Sequence, residues 1–168
     1  MTGPTLRAAY GSWPRYNRAL RDVVSGLTED DLAIRTTPER WPLWATIGHL
    51  ACQRVSGLCG IAGEPGAEST PFPDALYRCP GDEYLEPVMT REDLLGAIDT
   101  TFAIVDRCLD GWTASMLEEE IVRTFPDETI VRTRGDIIER AYAHDVYHLG
   151  EVNEILTRAG VPQLELWG

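Results

Sequence analysis

One stretch limits the possible folds more than any other. Between residues 133 and 159, Ile138, Ala141, Tyr142, Leu149, Val152, Leu156 and Ala159 recur mostly at steps of three and four. That spacing predicts a long helix with one buried face. Thr133 is placed to cap its start, with Asp136 at the third helical position, and Gly160 followed by Pro162 supplies the stop. His144 and His148 lie one turn apart on this helix, so both imidazoles project from the same side, where together they could hold a metal ion. The third and last histidine of the chain, His49, falls in a second helical stretch.

Asp145 lies between the paired histidines but in register with Ile138, Ala141, Leu149 and Val152, inside the apolar stripe. A carboxylate there needs a partner, because an unpaired buried charge is strongly destabilising. Accepting the free N–H of a metal-bound imidazole would satisfy both groups.

The rest of the 168-residue chain supplies enough helix for one domain with its own core, and one domain over 1–168 is the expectation. Residues 6–27 are helical in composition, with Pro14 marking either a kink or a fresh start. Thr28 to Asp31 look like a capped short turn. A second helix is predicted over 43–62, with Leu43, Ile47, Leu50, Leu58 and Ile61 on its buried face and His49 on a different side, with Ala45, Cys52 and Ser56. Trp41 and Trp44 read as packing residues at its start. A third helix opens on Thr90 with acidic residues in its first turn and ends at Gly111. Residues 121–124 and 129–132 flank Phe125-Pro126-Asp127-Glu128 and could form a small hairpin before the last helix. The tail, with Leu164, Leu166 and Trp167, is expected to lie against the helices.

Residues 63–87 hold five of the eleven prolines and cannot be a regular helix. A connection this long inside a compact domain is more often functional than idle. Four amphipathic helices with one large crossover predict an all-α, four-helix bundle with its site between helices.

Composition removes several function classes. All fifteen basic residues are Arg, against 27 acidic ones, for a net charge of −12. That balance argues against a nucleic-acid partner, and a chain without Lys has no Schiff-base or phosphate-loop lysine. No run approaches a membrane span and the N-terminus carries no export signal, so a cytoplasmic protein with no membrane partner is expected. Cys52, Cys59, Cys79 and Cys108 form no CxxC pair, and reduced thiols are the expectation in that setting.

Three imidazoles leave a coordination position open for water or substrate, as a catalytic metal requires. Cys52, three residues after His49, or Glu151, three after His148, could close the sphere as a fourth ligand. The pattern His144-Asp145-Val146-Tyr147-His148 is not the zincin motif, which has Glu beside its first His. Paired Glu-x-x-His motifs of a di-iron bundle are also missing.

Gly48-His49-Leu50 preceded by Trp41 and Trp44, the block from His144 to Val152, and the order of helices together resemble the DinB/YfiT-like superfamily, whose members are regarded as metalloenzymes. The resemblance spans nearly the whole chain, and the His144 block is its specific part. It implies a four-helix bundle, frequent homodimers, and a divalent metal, usually zinc or nickel, on His49, His144 and His148. Related enzymes transfer or isomerise with low-molecular-weight thiols, so the resemblance points to a small-molecule substrate and thiol-dependent S-transferase or isomerase chemistry. Asp145 and Glu151 are then the candidate catalytic or supporting carboxylates. A metal-assisted hydrolase and a non-catalytic, metal-stabilised bundle are the alternatives. The long proline-rich crossover departs from what the resemblance leads one to expect.

Overall fold

The computed structural model describes residues 3–81 and 84–167. Five α-helices run in the order α1 (Ser12–Gly26), α2 (Glu29–Leu32), α3 (Leu43–Val55), α4 (Arg91–Gly111) and α5 (Arg134–Ala159), with strands β1 (Glu120–Thr124) and β2 (Thr129–Thr133) between the last two. The chain is mostly helical, with α3 packed against both α4 and α5, and α1 lying on α4.

Local chemistry accounts for the boundaries. Thr28, Thr90 and Thr133 each accept from the backbone N–H three residues on. Asp31, Asp93 and Asp136 reach back to the cap residue's own N–H, so α2, α4 and α5 all begin with a capping box. Gly160 closes α5 in the left-handed conformation, at φ 69°. Pro14 stands in the first turn of α1, where its missing N–H costs nothing, so it marks a fresh start rather than a kink. The predicted second helix is regular only to Val55. From Ser56 to Ile61 it widens to a π-helix, with the Ala62 amide donating to Gly57 five residues back.

The strands pair antiparallel with Ile121 opposite Arg132 and Arg123 opposite Ile130, as the sequence suggested. Leu164 of the tail is buried and Leu166 packs against the core. Trp167 departs from expectation: it is 86% exposed and meets Tyr16 edge-on, with ring centroids 6.4 Å apart. Among the described residues no helix is long and apolar enough to cross a membrane.

The cysteine expectation is corrected. Cys52 and Cys79 form a disulfide, with Cα atoms 5.7 Å apart. Spacing alone could not show it, because the pair meets only when the crossover folds back over α3. Such a bond is more at home in an oxidising compartment than in the cytoplasm expected from the N-terminus. Cys108 is buried and Cys59 half-buried, both as free thiols packed with the core.

Candidate metal centre

His49 enters from α3, and His144 and His148 from successive turns of α5. One nitrogen from each lies within 4.8 Å of the others. The ring centroids are 4.3 to 5.1 Å apart, and Nε2 of His144 stands 3.1 Å from Nε2 of His148.

Two neighbours decide which nitrogens are free to bind. Nδ1 of His49 is 2.8 Å from the carbonyl oxygen of Pro80, and a carbonyl can only accept. The proton therefore sits on Nδ1, which puts the lone pair on Nε2. Nδ1 of His148 is 2.6 Å from Oε2 of Glu151, with the same consequence. This arrangement of an imidazole backed by a carbonyl or carboxylate is how metal-bound histidines are oriented and made more basic. Nδ1 of His144 is buried without a partner among the described residues. Burial, together with the neighbouring His148 and His49, pushes the His144 imidazole down to about 3, so it stays neutral and its lone pair remains available. Three converging imidazoles are a donor set that fits a divalent cation.

The crossover supplies more of the site than its composition suggested. Its Cys79 is bonded to Cys52, one turn beyond His49 on α3, and the next residue, Pro80, provides the carbonyl behind His49. The chain can lie this close because Gly48 has no side chain. A Cβ there would stand 2.8 Å from Met89 Sδ and 3.1 Å from Pro80 Cγ. Gly81 takes φ +124°, and a Cβ on it would run into the Trp41 ring. Trp41 in turn packs on His49, ring centroids 4.8 Å apart, and stacks over His148 at 6.3 Å. It is thus half-buried against the imidazoles rather than in the core, whereas Trp44 is a core residue at 4% exposure.

Other expected site residues fall elsewhere. Cys52 holds no free thiolate to complete the sphere, because its sulfur is bonded to Cys79. Glu151 stands behind His148, and among the described residues the cluster contains no fourth ligand. Asp145 has a different partner from the one expected. Being next to His144, it points about a quarter-turn away into the core, where Oδ2 accepts from Trp13 Nε1 at 2.6 Å and from Arg54 Nε and Nη2 at 2.8 Å. Arg54 Nη1 also donates to Asn17 Oδ1 and Thr101 Oγ1, so one buried group joins α1, α3, α4 and α5. Burial raises the Asp145 carboxyl, and Arg54 and Trp13 oppose it. Arg54 was legible in the sequence only as an arginine amid apolar residues of a predicted helix, which is the one local sign of a buried ion pair.

The model of the DinB superfamily matches residues 15–152, a span that includes all three histidines. The chain belongs to the DinB superfamily. Two solved structures share its fold: a DinB-like protein from Bacillus cereus, with 16% identity, 99% of each chain covered and a TM-score of 0.67, and a DinB-like protein from Bacillus subtilis, with 13% identity, 92% of each chain covered and a TM-score of 0.59. No curated protein is a significant match. At these identities the two structures speak for the fold of this DinB-superfamily chain and not for its chemistry.

Proposed function

We propose that the protein binds one divalent metal ion, zinc or nickel, on Nε2 of His49, His144 and His148, and catalyses the reaction of a small thiol with an electrophilic acceptor, as an S-transferase or isomerase. The observation that carries this reading is the locking of two imidazoles as Nδ1–H donors by Pro80 and Glu151, which leaves their Nε2 lone pairs facing one point. A bound metal of this kind supplies Lewis acidity and lowers the pKa of a thiol or water.

The protein's own groups have separable roles. Pro80 and Glu151 orient the imidazoles. Trp41 packs over one side of His49 and His148. A cleft of about 490 Å³ ends on His148 and is lined by Trp41, Tyr147 and Glu151 among others, which gives a small molecule access. When a thiol attacks an electrophilic acceptor, its S–H bond breaks as the new C–S bond forms. The acceptor's displaced electron pair leaves with a leaving group, or is protonated where a π bond opens, and the thiol proton must be taken up. Glu151, which both touches an imidazole and lines that cleft, is placed to take the proton. Asp145, 1% exposed, is not.

The same reading takes the four long helices as a four-helix bundle and the assembly as a homodimer. Elemental analysis of purified protein tests the metal: about one equivalent in wild type and none in His148→Ala is expected, and equal contents would refute it. Metal-loaded protein assayed with several small thiols and an electrophilic acceptor, with His144→Ala as control, tests the chemistry. Activity absent across the panel would favour a metal that only stabilises the fold, and activity with water alone a hydrolase. Light scattering that finds only monomer would remove the dimer.

A further inference from the structure

A second cleft reaches the histidine cluster from the other side. It holds about 240 Å³, lies between the π-helical turn after α3, strand β2 and helix α5, and ends on His144. That is space for about eight waters at roughly 30 Å³ each, enough for a small organic molecule and too little for a peptide. Ile130, Ile137 and Ala141 give it an apolar floor, and Ser56 and Gly57 leave it open on the α3 side.

Its charge runs against the rest of the molecule. The protein carries −12, and the larger cleft has Glu39, Glu151 and Glu154 beside Arg40 and Arg158, with Arg158 already paired to Glu154 at 2.8 Å. The smaller cleft has Arg132 and Arg140 and a single acid, Asp136. That acid is engaged in capping α5, where it accepts from the Thr133 amide. Arg140 makes no ion pair with the described residues, while Arg132 donates to its neighbour's carbonyl at 3.3 Å and lies near Asp136, whose carboxyl is held down by the Thr133 cap and by Arg132. Two guanidiniums border the apolar floor, Arg132 from β2 and Arg140 from one turn before His144 on α5, and together they suit a carboxylate attached to an apolar body.

We propose that this cleft binds a small apolar carboxylic acid, with the carboxylate on Arg132 and Arg140 and the apolar body on Ile130, Ile137 and Ala141, directed at His144. As the acceptor site of the thiol reaction it rests on the function proposed above, but the binding itself does not require the metal.

The test is titration of phenylacetate and its uncharged counterpart phenylacetamide into metal-free and zinc-loaded protein, followed by backbone amide shifts. The acid is expected to bind about tenfold or more tightly than the amide, as two charge-assisted contacts allow, and to shift Ile130, Arg140 and His144. Arg140→Gln and Arg132→Gln should each erode that preference, while Arg158→Gln in the other cleft leaves it intact. Both arginines are exposed, so these variants are expected to fold. Equal binding of acid and amide would overturn the proposal. So would shifts confined to the larger cleft, or an Arg140→Gln variant that binds the acid like wild type. Zinc uptake without acid preference would sink this inference alone, and acid preference without zinc uptake would sink only the metal.

Discussion

His49 and Arg54 stand little more than a turn apart on α3, and His144 and Asp145 are neighbours on α5, yet the two pairs end in opposite surroundings. Arg54 and Asp145 bring opposite charges, 1% exposed, and close on each other with Trp13, Asn17 and Thr101 filling in. The histidines bring three like bases, two of them backed by Pro80 and Glu151, with Nε2 of His144 standing 3.1 Å from Nε2 of His148. The first cluster pairs its charges within the fold, although Oδ1 of Asp145 is buried without a partner among the described residues. The second is a donor set that a divalent cation would fit, as the proposed function requires. Buried polarity on shared helices is therefore no guide to role, and what separates the two clusters is whether opposite charges meet within the fold.

Removing one side of the closed cluster should give the largest effect. Arg54→Ala leaves Asp145 buried without its cation, and a loss of about 3–5 kcal/mol is expected, read as a fall of roughly 10 °C in Tm for a domain of this size. Combining Arg54→Met with Asp145→Leu should recover most of it. A double variant as unstable as the single one would mean that the pair does more than cancel charge.

Cys79→Ser comes next. Opening a loop with 27 residues of separation should cost about 3–4 kcal/mol by loop entropy. It should also weaken zinc binding, because Pro80 loses its anchor behind His49. Unchanged zinc affinity would show that the crossover covers the site without ordering it.

Glu151→Ala should leave urea stability near wild type and weaken metal binding by about 10–100-fold. Equal affinity would remove Glu151 from the site.

The smallest expected effect is a pH slope confined to the open cluster. Burial holds His144 near 3 in the fold, against 6.5 when unfolded. Below pH 6.5 the unfolded chain therefore takes up a proton that the folded one refuses, and metal-free stability falls with pH toward 3. The loss by pH 5.5 should be about 1 kcal/mol, and His144→Ala should lack it. A slope that persists in that variant would assign it to another group.

These contrasts also show what the sequence could reveal. Helix α5 was readable nearly to the residue because its information is local: a period, a capping box and a terminal glycine. His144 and His148 followed from the same period, and the hairpin from its flanking β-branched runs. The partner of Asp145 was not readable, since Arg54 is 91 residues away and only packing of α3 on α5 brings it near. The roles of Pro80, Gly81 and Cys79 were hidden for the same reason. They act through where an irregular segment lies, and no periodicity records that. Trp41 looked like a packing residue because its indole does pack, but on imidazoles.

The bond between Cys52 and Cys79 makes the polypeptide from the middle of α3 through most of the crossover a closed covalent ring. A protease that cuts inside that ring, for instance after Arg78, would break the chain without separating its halves. The nicked protein would run as one species on a gel until reduced. His49 would stay tethered to the half that carries His144 and His148, so the ring lets the most irregular part of the molecule be cut without scattering its metal ligands.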